Sequence, residues 1–205
     1  MKLQDLRKEL GKKLETTPLS PKLFLSRFKI GVERLPVLFT DPTYLPFYYY
    51  LGRLLPETKN LLEMGFDLGL PGGCFIYGCP TLERFTAFRR AKEEGYHTRR
   101  LGVANIHNAL KKKFELLLGK ETDPEIIKSI LGCRWDCVII GEEAEEKTIK
   151  AYLNLVWNQM SDGGLVVVDF LNVASVGEAY HSFCKLNNRE PFVLKTFRGT
   201  GLLQK

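Results

Sequence analysis

The chain is 205 residues long, 44% hydrophobic and 26% charged, a balance that builds one domain with an extension around a sizeable core and excludes global disorder. Its 30 basic and 24 acidic residues leave a formal charge of +6, yet apart from Arg89-Arg90, Arg99-Arg100 and Lys111-Lys112-Lys113 the basic residues are scattered, which argues against a nucleic-acid binder. The cysteines, at 74, 79, 133, 137 and 184, lack the paired two-residue gaps of a zinc site, and their odd number suits a reduced, cytoplasmic protein.

The first residues, "MKLQDLRKELGKKLE", are charged throughout and do not read as a signal peptide. No apolar run reaches the roughly 18 residues of a membrane span, so no membrane partner is expected. Leu3, Leu6, Leu10 and Leu14 recur at helical spacing and predict a helix over 2–15. Residues 16–46 carry prolines at 18, 21, 36, 42 and 46 and read as an irregular arm. Residues 1–44 are thus expected to be a helix plus arm, serving as a lid or as the contact of a homodimer, and 45–205 the main domain. "FYYYLGRLL", 47–55, predicts a helix ending at Pro56.

Short apolar runs then alternate with helical patterns. "NLLEMGF", 60–66, predicts a strand, and "LPGGCFIYGCP", 70–80, a local insertion without assignment. Residues 81–95 predict a helix, with Leu82, Phe85 and Phe88 on one face and Gly95 as its stop. "RRLGVANI", 99–106, predicts the second strand and "KFELLLG", 113–119, the third. Asp123 as N-cap and Pro124 at the first position open a short helix, "PEIIKSIL". "WDCVIIG", 135–141, has almost no polar alternation, as expected of a parallel strand covered on both faces. Ile149, Leu153, Val156 and Met160 mark a helix over 143–160, and "LVVVDFL", 165–171, a fifth strand. A helix over about 174–186 follows, then two strands turning at Gly199-Thr200-Gly201. The whole reads as a Rossmann-like α/β three-layer sandwich: a mostly parallel seven-stranded sheet with an antiparallel C-terminal hairpin.

Chemistry enters at "NLLEMGFDLGLPGG", 60–73, with glycines at 65, 69, 72 and 73. A Walker loop is excluded, because Gly73 is followed by Cys74-Phe75 instead of lysine and a hydroxyl residue. The four-residue step from Gly65 to Gly69 is also not the dinucleotide fingerprint. No Gly-x-Ser-x-Gly elbow supports a hydrolase. A turn for a nucleoside with an amino-acid tail remains, with Glu63 able to accept from a cationic group.

"LLEMGFDLG" resembles motif I of the class I S-adenosylmethionine (SAM)-dependent methyltransferases, in the small O-methyltransferase-like and cephalosporin-hydroxylase-like variety. "WDCVIIGEEAEEKTIKAYL" and "MSDGGLVVVDF" are similar to the fourth-strand and fifth-strand elements of that family, so that the resemblance spans about 45–205. It implies SAM as cofactor and methyl transfer to an oxygen or nitrogen of a small-molecule acceptor. Gly65 and Gly69 would line the methionine moiety, Glu63 and Asp67 would flank its amino group, and Gly141 would close the cleft from the fourth strand. Ala104 falls where the family places a ribose-binding acid, leaving Asn105 or His107 as substitutes, and Lys120 stands at the adenine position. No catalytic residue is assigned; the candidates are Glu142, Asp169 and His107. No resident metal is expected, and Glu142, Asp169 and Asn172 are the oxygen ligands one would use. These departures keep a second reading open, a methyltransferase-like binding or assembly module without catalysis.

Overall fold

Leu3–Thr16 forms α1, whose Leu6 and Leu10 are buried and whose Leu3 amide donates to Gln204 Oε1 at 3.0 Å. The computed structural model describes residues 1–28, 30, 39, 41–66, 68–90, 102, 104–106, 108 and 113–205. Pro21–Arg27 forms α2 inside the segment expected to be irregular, with proline in its first turn. Pro21, Phe24 and Leu25 are buried, so burial of one face settles what a seven-residue helix could not settle by propensity. Tyr44–Leu54 forms α3, starting three residues before the predicted Phe47. The early start follows from Asp41, whose Oδ1 accepts from the amides of Thr43 and Tyr44 at 2.8 and 3.1 Å.

Two segments after β1 depart from the sequence reading. Asn60–Met64 is β1 as expected, but the unassigned "LPGGCFIYG", Leu70–Gly78, is helix α4, and Arg84–Arg90 is strand β2 instead of a helix. Phe85, Thr86, Ala87 and Phe88 are all fully buried, so β2 shows no alternation, and the three-residue spacing of Leu82, Phe85 and Phe88 mimicked a helix. In α4, Gly72 and Gly73 are required by close approach: a Cβ at Gly72 would meet the Glu63 carboxylate, and one at Gly73 the Phe28 ring. The predicted strand over 99–106 is also corrected, because Ala104, Asn105 and Ile106 are helical.

From there the expected order holds. β3 is Lys113–Gly119, α5 Pro124–Leu131, β4 Trp135–Ile140, α6 Glu146–Trp157, β5 Met160–Asp169 and α7 Ala174–Leu186. Phe192–Leu194 (β6) and Thr200–Gln204 (β7) form the terminal hairpin; Thr200 and Gly201, expected in the turn, lie in β7, and the turn is 195–199. The sheet order is β3-β2-β1-β4-β5-β7-β6, with β7 antiparallel to β5 and β6 and every other pair parallel. One helical group packs on α3 (α1, α2, α4) and another on α6 (α5, α7). The β1-to-β2 crossover through α4 and the β4-to-β5 crossover through α6 run in opposite directions along the sheet, and the usual right-handed crossover puts the two groups on opposite faces, which makes three layers. None of the described helices is long and apolar enough to cross a membrane.

Asp123 caps α5 by accepting from the Glu125 amide at 3.2 Å. Asp123→Ala is expected to cost about 1 kcal/mol. In a chain of this size that lowers the thermal midpoint by roughly 2–4 °C, readable by calorimetry.

Candidate functional site

The strand order reverses between β1 and β4, and in open parallel sheets the crevice beyond such a point is where ligands bind. β1 delivers Glu63 there, 2% exposed, with its carboxylate against Gly72 in the first turn of α4. That end of a helix favours an anion. The chain then turns at Gly65, φ +93°, where the amides of Gly65 and Phe66 donate to the Phe88 carbonyl at 3.0 and 3.1 Å. Gly69, φ +69°, is the N-cap of α4. Both conformations lie in the left-handed region that side chains avoid. The two glycines of the predicted motif therefore stand where the turn needs them.

A cleft of about 220 Å³ opens here, lined by Glu63, Gly65, Leu68, Gly141, Phe170 and Arg198 and walled further by Phe39, Tyr44 and Pro71. An adjoining hollow of about 190 Å³ shares Gly65, Gly141 and Glu143 and extends over Phe66, Arg89, Arg90 and Glu142. Glu63, Gly65 and Gly141 thus come together as expected. Gly69 stays in the turn behind them, its α-carbon facing Phe66 and Ile106. Asp67 and His107 lie outside the described residues.

The other candidates do not converge. Asp169 is 1% exposed and accepts from Tyr44 at 3.0 Å, from Thr200 Oγ1 at 2.8 Å, and from Tyr48. Burial raises its carboxyl above the ordinary range, opposed by the hydrogen bonds from Tyr48, Thr200 and Tyr44. Burial and the Asp169 charge in turn push both tyrosine hydroxyls up, so both stay protonated. Glu142 accepts from Tyr152 at 2.9 Å, and the Asn172 side-chain amide donates to the Phe197 carbonyl at 3.5 Å while its backbone amide donates to the Arg198 carbonyl at 3.0 Å. Glu142, Asp169 and Asn172 are each engaged apart, and among the described residues no group of His, Cys, Asp and Glu could hold a metal ion.

Asn105 also departs from its expected place. It lines a separate cavity with Arg27, Phe28 and Tyr77. Because β2 is Arg84–Arg90, the position at the end of the second strand belongs to Arg89-Arg90 and not to Ala104. Arg89 donates to the Phe66 carbonyl at 2.9 Å, and Arg90 pairs with Glu121 at 3.2 Å, just past Lys120 at the end of β3.

Sequence reasoning missed Arg198. From the hairpin turn it pairs with Glu143 and lies over the Phe170 ring at 4.9 Å, so it bridges the loops after β4 and β5. Phe170 itself has φ +66°, a strained turn for an aromatic residue. The readable signal was topological: a terminal antiparallel hairpin returns its turn to the carboxyl ends of the parallel strands.

The residues fit the amino-acid half of SAM, with a buried carboxylate beside a turn that a Cβ would fill. At the second-strand end, β2 closes on Arg89 and Arg90.

No family model matches the sequence, and no curated protein matches it. Solved structures do. An O-methyltransferase from Bacillus cereus in complex with S-adenosylhomocysteine (SAH) superposes with a TM-score of 0.69 at 16% identity, covering 97% of each chain. SAH-bound methyltransferase PaMTH1 from Podospora anserina gives 0.69 at 13%, covering 98% of this chain and 96% of that one. The O-methyltransferase TomG from Streptomyces achromogenes, involved in tomaymycin synthesis and solved with SAM, gives 0.66 at 15% with 98% of each chain covered. Over nearly its whole length the chain has the fold of the SAM-dependent O-methyltransferases.

Proposed function

We propose that the protein is a SAM-dependent methyltransferase acting on an oxygen or nitrogen of a small, largely apolar acceptor. The observation that carries this reading is the buried Glu63 beside the Gly65–Gly69 turn, at the switch point of a sheet whose structural neighbours were solved with SAM or SAH bound. When bound, SAM supplies a methyl group on a positively charged sulfur, open to in-line attack by a lone pair. Glu63 would accept from the ammonium of the amino-acid tail, and the backbone at Gly65 and Gly69 would leave room for it. Phe39, Tyr44, Leu68 and Phe170 give the cleft an apolar wall for the acceptor. Tyr44 and Tyr48 remain protonated, and Glu142 and Glu143 are engaged by Tyr152 and Arg198. Rate enhancement would therefore come from positioning and exclusion of water instead of a general base.

The tail-binding half of the site should dominate affinity. Isothermal calorimetry is expected to show SAH binding at least about tenfold tighter than 5′-methylthioadenosine, which lacks the tail, since a charge-assisted hydrogen bond contributes roughly 1.5–3 kcal/mol. Equal affinities would contradict the role given to Glu63.

Arg89-Arg90 at the end of β2 and the closed hydrogen-bond set around Asp169 favour the second reading, a non-catalytic binding module of the same fold. Incubation with methyl-tritiated SAM and a panel of phenols and amines separates the two. Acceptor-dependent label transfer supports the enzyme; SAH binding with no transfer to any acceptor supports the module.

A further inference from the structure

We infer that the acceptor of the strand-end cleft is a carboxylate on an apolar body, that Arg198 holds it, and that the product is its methyl ester. This rests on the SAM reading above and names the acceptor class of that same cleft. Arg198 lines the cleft together with Glu143 and Phe170. Its guanidinium meets both, pairing with Glu143 and lying 4.9 Å from the Phe170 ring centre, so the charged end of the side chain stands at the cleft. The backbone fixes it there: the amides of Leu171 and Asn172 donate to the carbonyls of Gly199 and Arg198 at 3.2 and 3.0 Å, and the Asn172 side chain donates to the Phe197 carbonyl at 3.5 Å. Phe170 holds φ +66° beneath the guanidinium, and strain of that kind collects at ligand clamps.

Glu143 does not use Arg198 up. The two side chains are 51% and 34% exposed, a pair of the kind that contributes little, and a guanidinium carries more N–H donors than one carboxylate can accept. A planar fork held on an aromatic face suits a second carboxylate better than a neutral group. The turn that carries it, 195–199, adds Lys195 and no acidic residue, which draws an anion toward the mouth. Tyr44, Leu68 and Phe170 take the apolar body. The chemistry agrees with this placement. Glu142 and Glu143 are engaged and Tyr44 and Tyr48 stay protonated, which leaves no free base among these four for a neutral hydroxyl. A carboxylate is already ionised above about pH 5 and needs none. One of its oxygens attacks the methyl carbon with a lone pair; the O–C bond forms, the C–S bond breaks with its electron pair left on sulfur, and a methyl ester and SAH result without release of a proton. Anion and sulfonium cancel their charges in that step, which a low-dielectric cleft favours over water.

The full chain is titrated by calorimetry with SAH, and then in saturating SAH with benzoate, phenylacetate and hexanoate beside their amides. Expected are SAH binding and at least one carboxylate that binds at least about tenfold tighter than its amide. Arg198→Met should erase that difference. Arg198→Lys should keep part of it, because the charge stays and the fork is lost, and Glu143→Gln should tighten the carboxylate by freeing the guanidinium. Glu143 is half exposed, so its variant gives a reading even if the changes at Arg198 fail to fold. With methyl-tritiated SAM, label should pass to carboxylates in preference to phenols and amines, into an ester that mild alkali cleaves. SAH binding with no carboxylate preferred over its amide, a preference indifferent to both Arg198 and Glu143, or transfer to phenols alone would overturn the inference. Absence of SAH binding would bring down the cofactor reading itself, and this inference with it.

Discussion

Asp169→Ala is expected to destabilise the protein by about 3–5 kcal/mol, the cost of breaking a buried charged hydrogen-bond set from one side. The carboxylate gathers Tyr44 and Tyr48 from α3 and Thr200 from β7 onto the end of β5. Its removal strands two fully buried tyrosine hydroxyls, while Thr200 keeps Thr196 as a partner at 2.8 Å. For a chain of this length the thermal midpoint should fall by about 10 °C or more. Asp169→Asn keeps the shape and one acceptor, and should cost only about 1–2 kcal/mol.

The pair of variants also fixes a pH dependence. The folded-state pKa of Asp169 is raised by burial, so between the unfolded value near 3.9 and the folded value the native state holds more protons than the unfolded chain. Stability from this group is thus complete below about pH 4 and declines as pH rises through the folded pKa. The deficit of Asp169→Asn relative to the unaltered protein should therefore be largest in acid and shrink toward neutrality, as read from urea midpoints at the two pH values. A deficit that grows with pH would show that the three hydroxyls outweigh burial and hold the carboxylate ionised.

Gly65→Ala carries the second large effect, and this one reaches function. At φ +93° an added Cβ is strained in itself, and it would sit 2.7 Å from the Gly141 carbonyl oxygen and 2.8 Å from Glu142 Cβ. The ends of β1 and β4 would have to part. Left-handed strain of roughly 1–2 kcal/mol and overpacking of roughly 1–3 kcal/mol give a loss of about 2–5 kcal/mol. Because Gly65 and Gly141 line both halves of the cleft, SAH affinity should fall at least about tenfold in variant that is still folded, a difference of about 1.4 kcal/mol. Gly11→Ala, inside α1 where an added Cβ meets nothing within 4 Å, is the control: it should leave SAH affinity unchanged and add about 0.5–1 kcal/mol of helix stability.

Much of the fold was legible because local rules and burial agreed. Asp123-Pro124 opened α5, the unbroken apolar run of Trp135–Ile140 marked a strand covered on both faces, and Ala174–Leu186 matched the expected helix at both ends. The segment between β1 and β3 was not legible. Gly72 and Gly73 looked like loop residues, yet they are helical because Glu63 and Phe28 press on them, a demand that comes from elsewhere in the fold. A fully buried strand and one face of a helix both accept Leu82, Phe85 and Phe88, so β2 was read as the helix. That single exchange carried the second-strand end from Arg89-Arg90 to Ala104, and moved Asn105 from its own cavity into the cofactor site. The glycine turn and Glu63 were legible because their chemistry is local to the motif, whereas Arg198 and the tyrosines on Asp169 depend on chain returns that spacing does not encode.

The central claim is that the strand-end cleft is a sulfonium-nucleoside site. Its most direct test is the thermal midpoint of the protein with SAM and with SAH at millimolar concentration, beside NAD and ATP. Ligand at about a hundred times its dissociation constant adds roughly 2.7 kcal/mol, which in a domain of this size raises the midpoint by about 5–10 °C. A rise of that order with SAM and SAH and none with NAD or ATP is the expected result. No rise with SAM or SAH, or an equal rise with ATP, would contradict the assignment of the cleft.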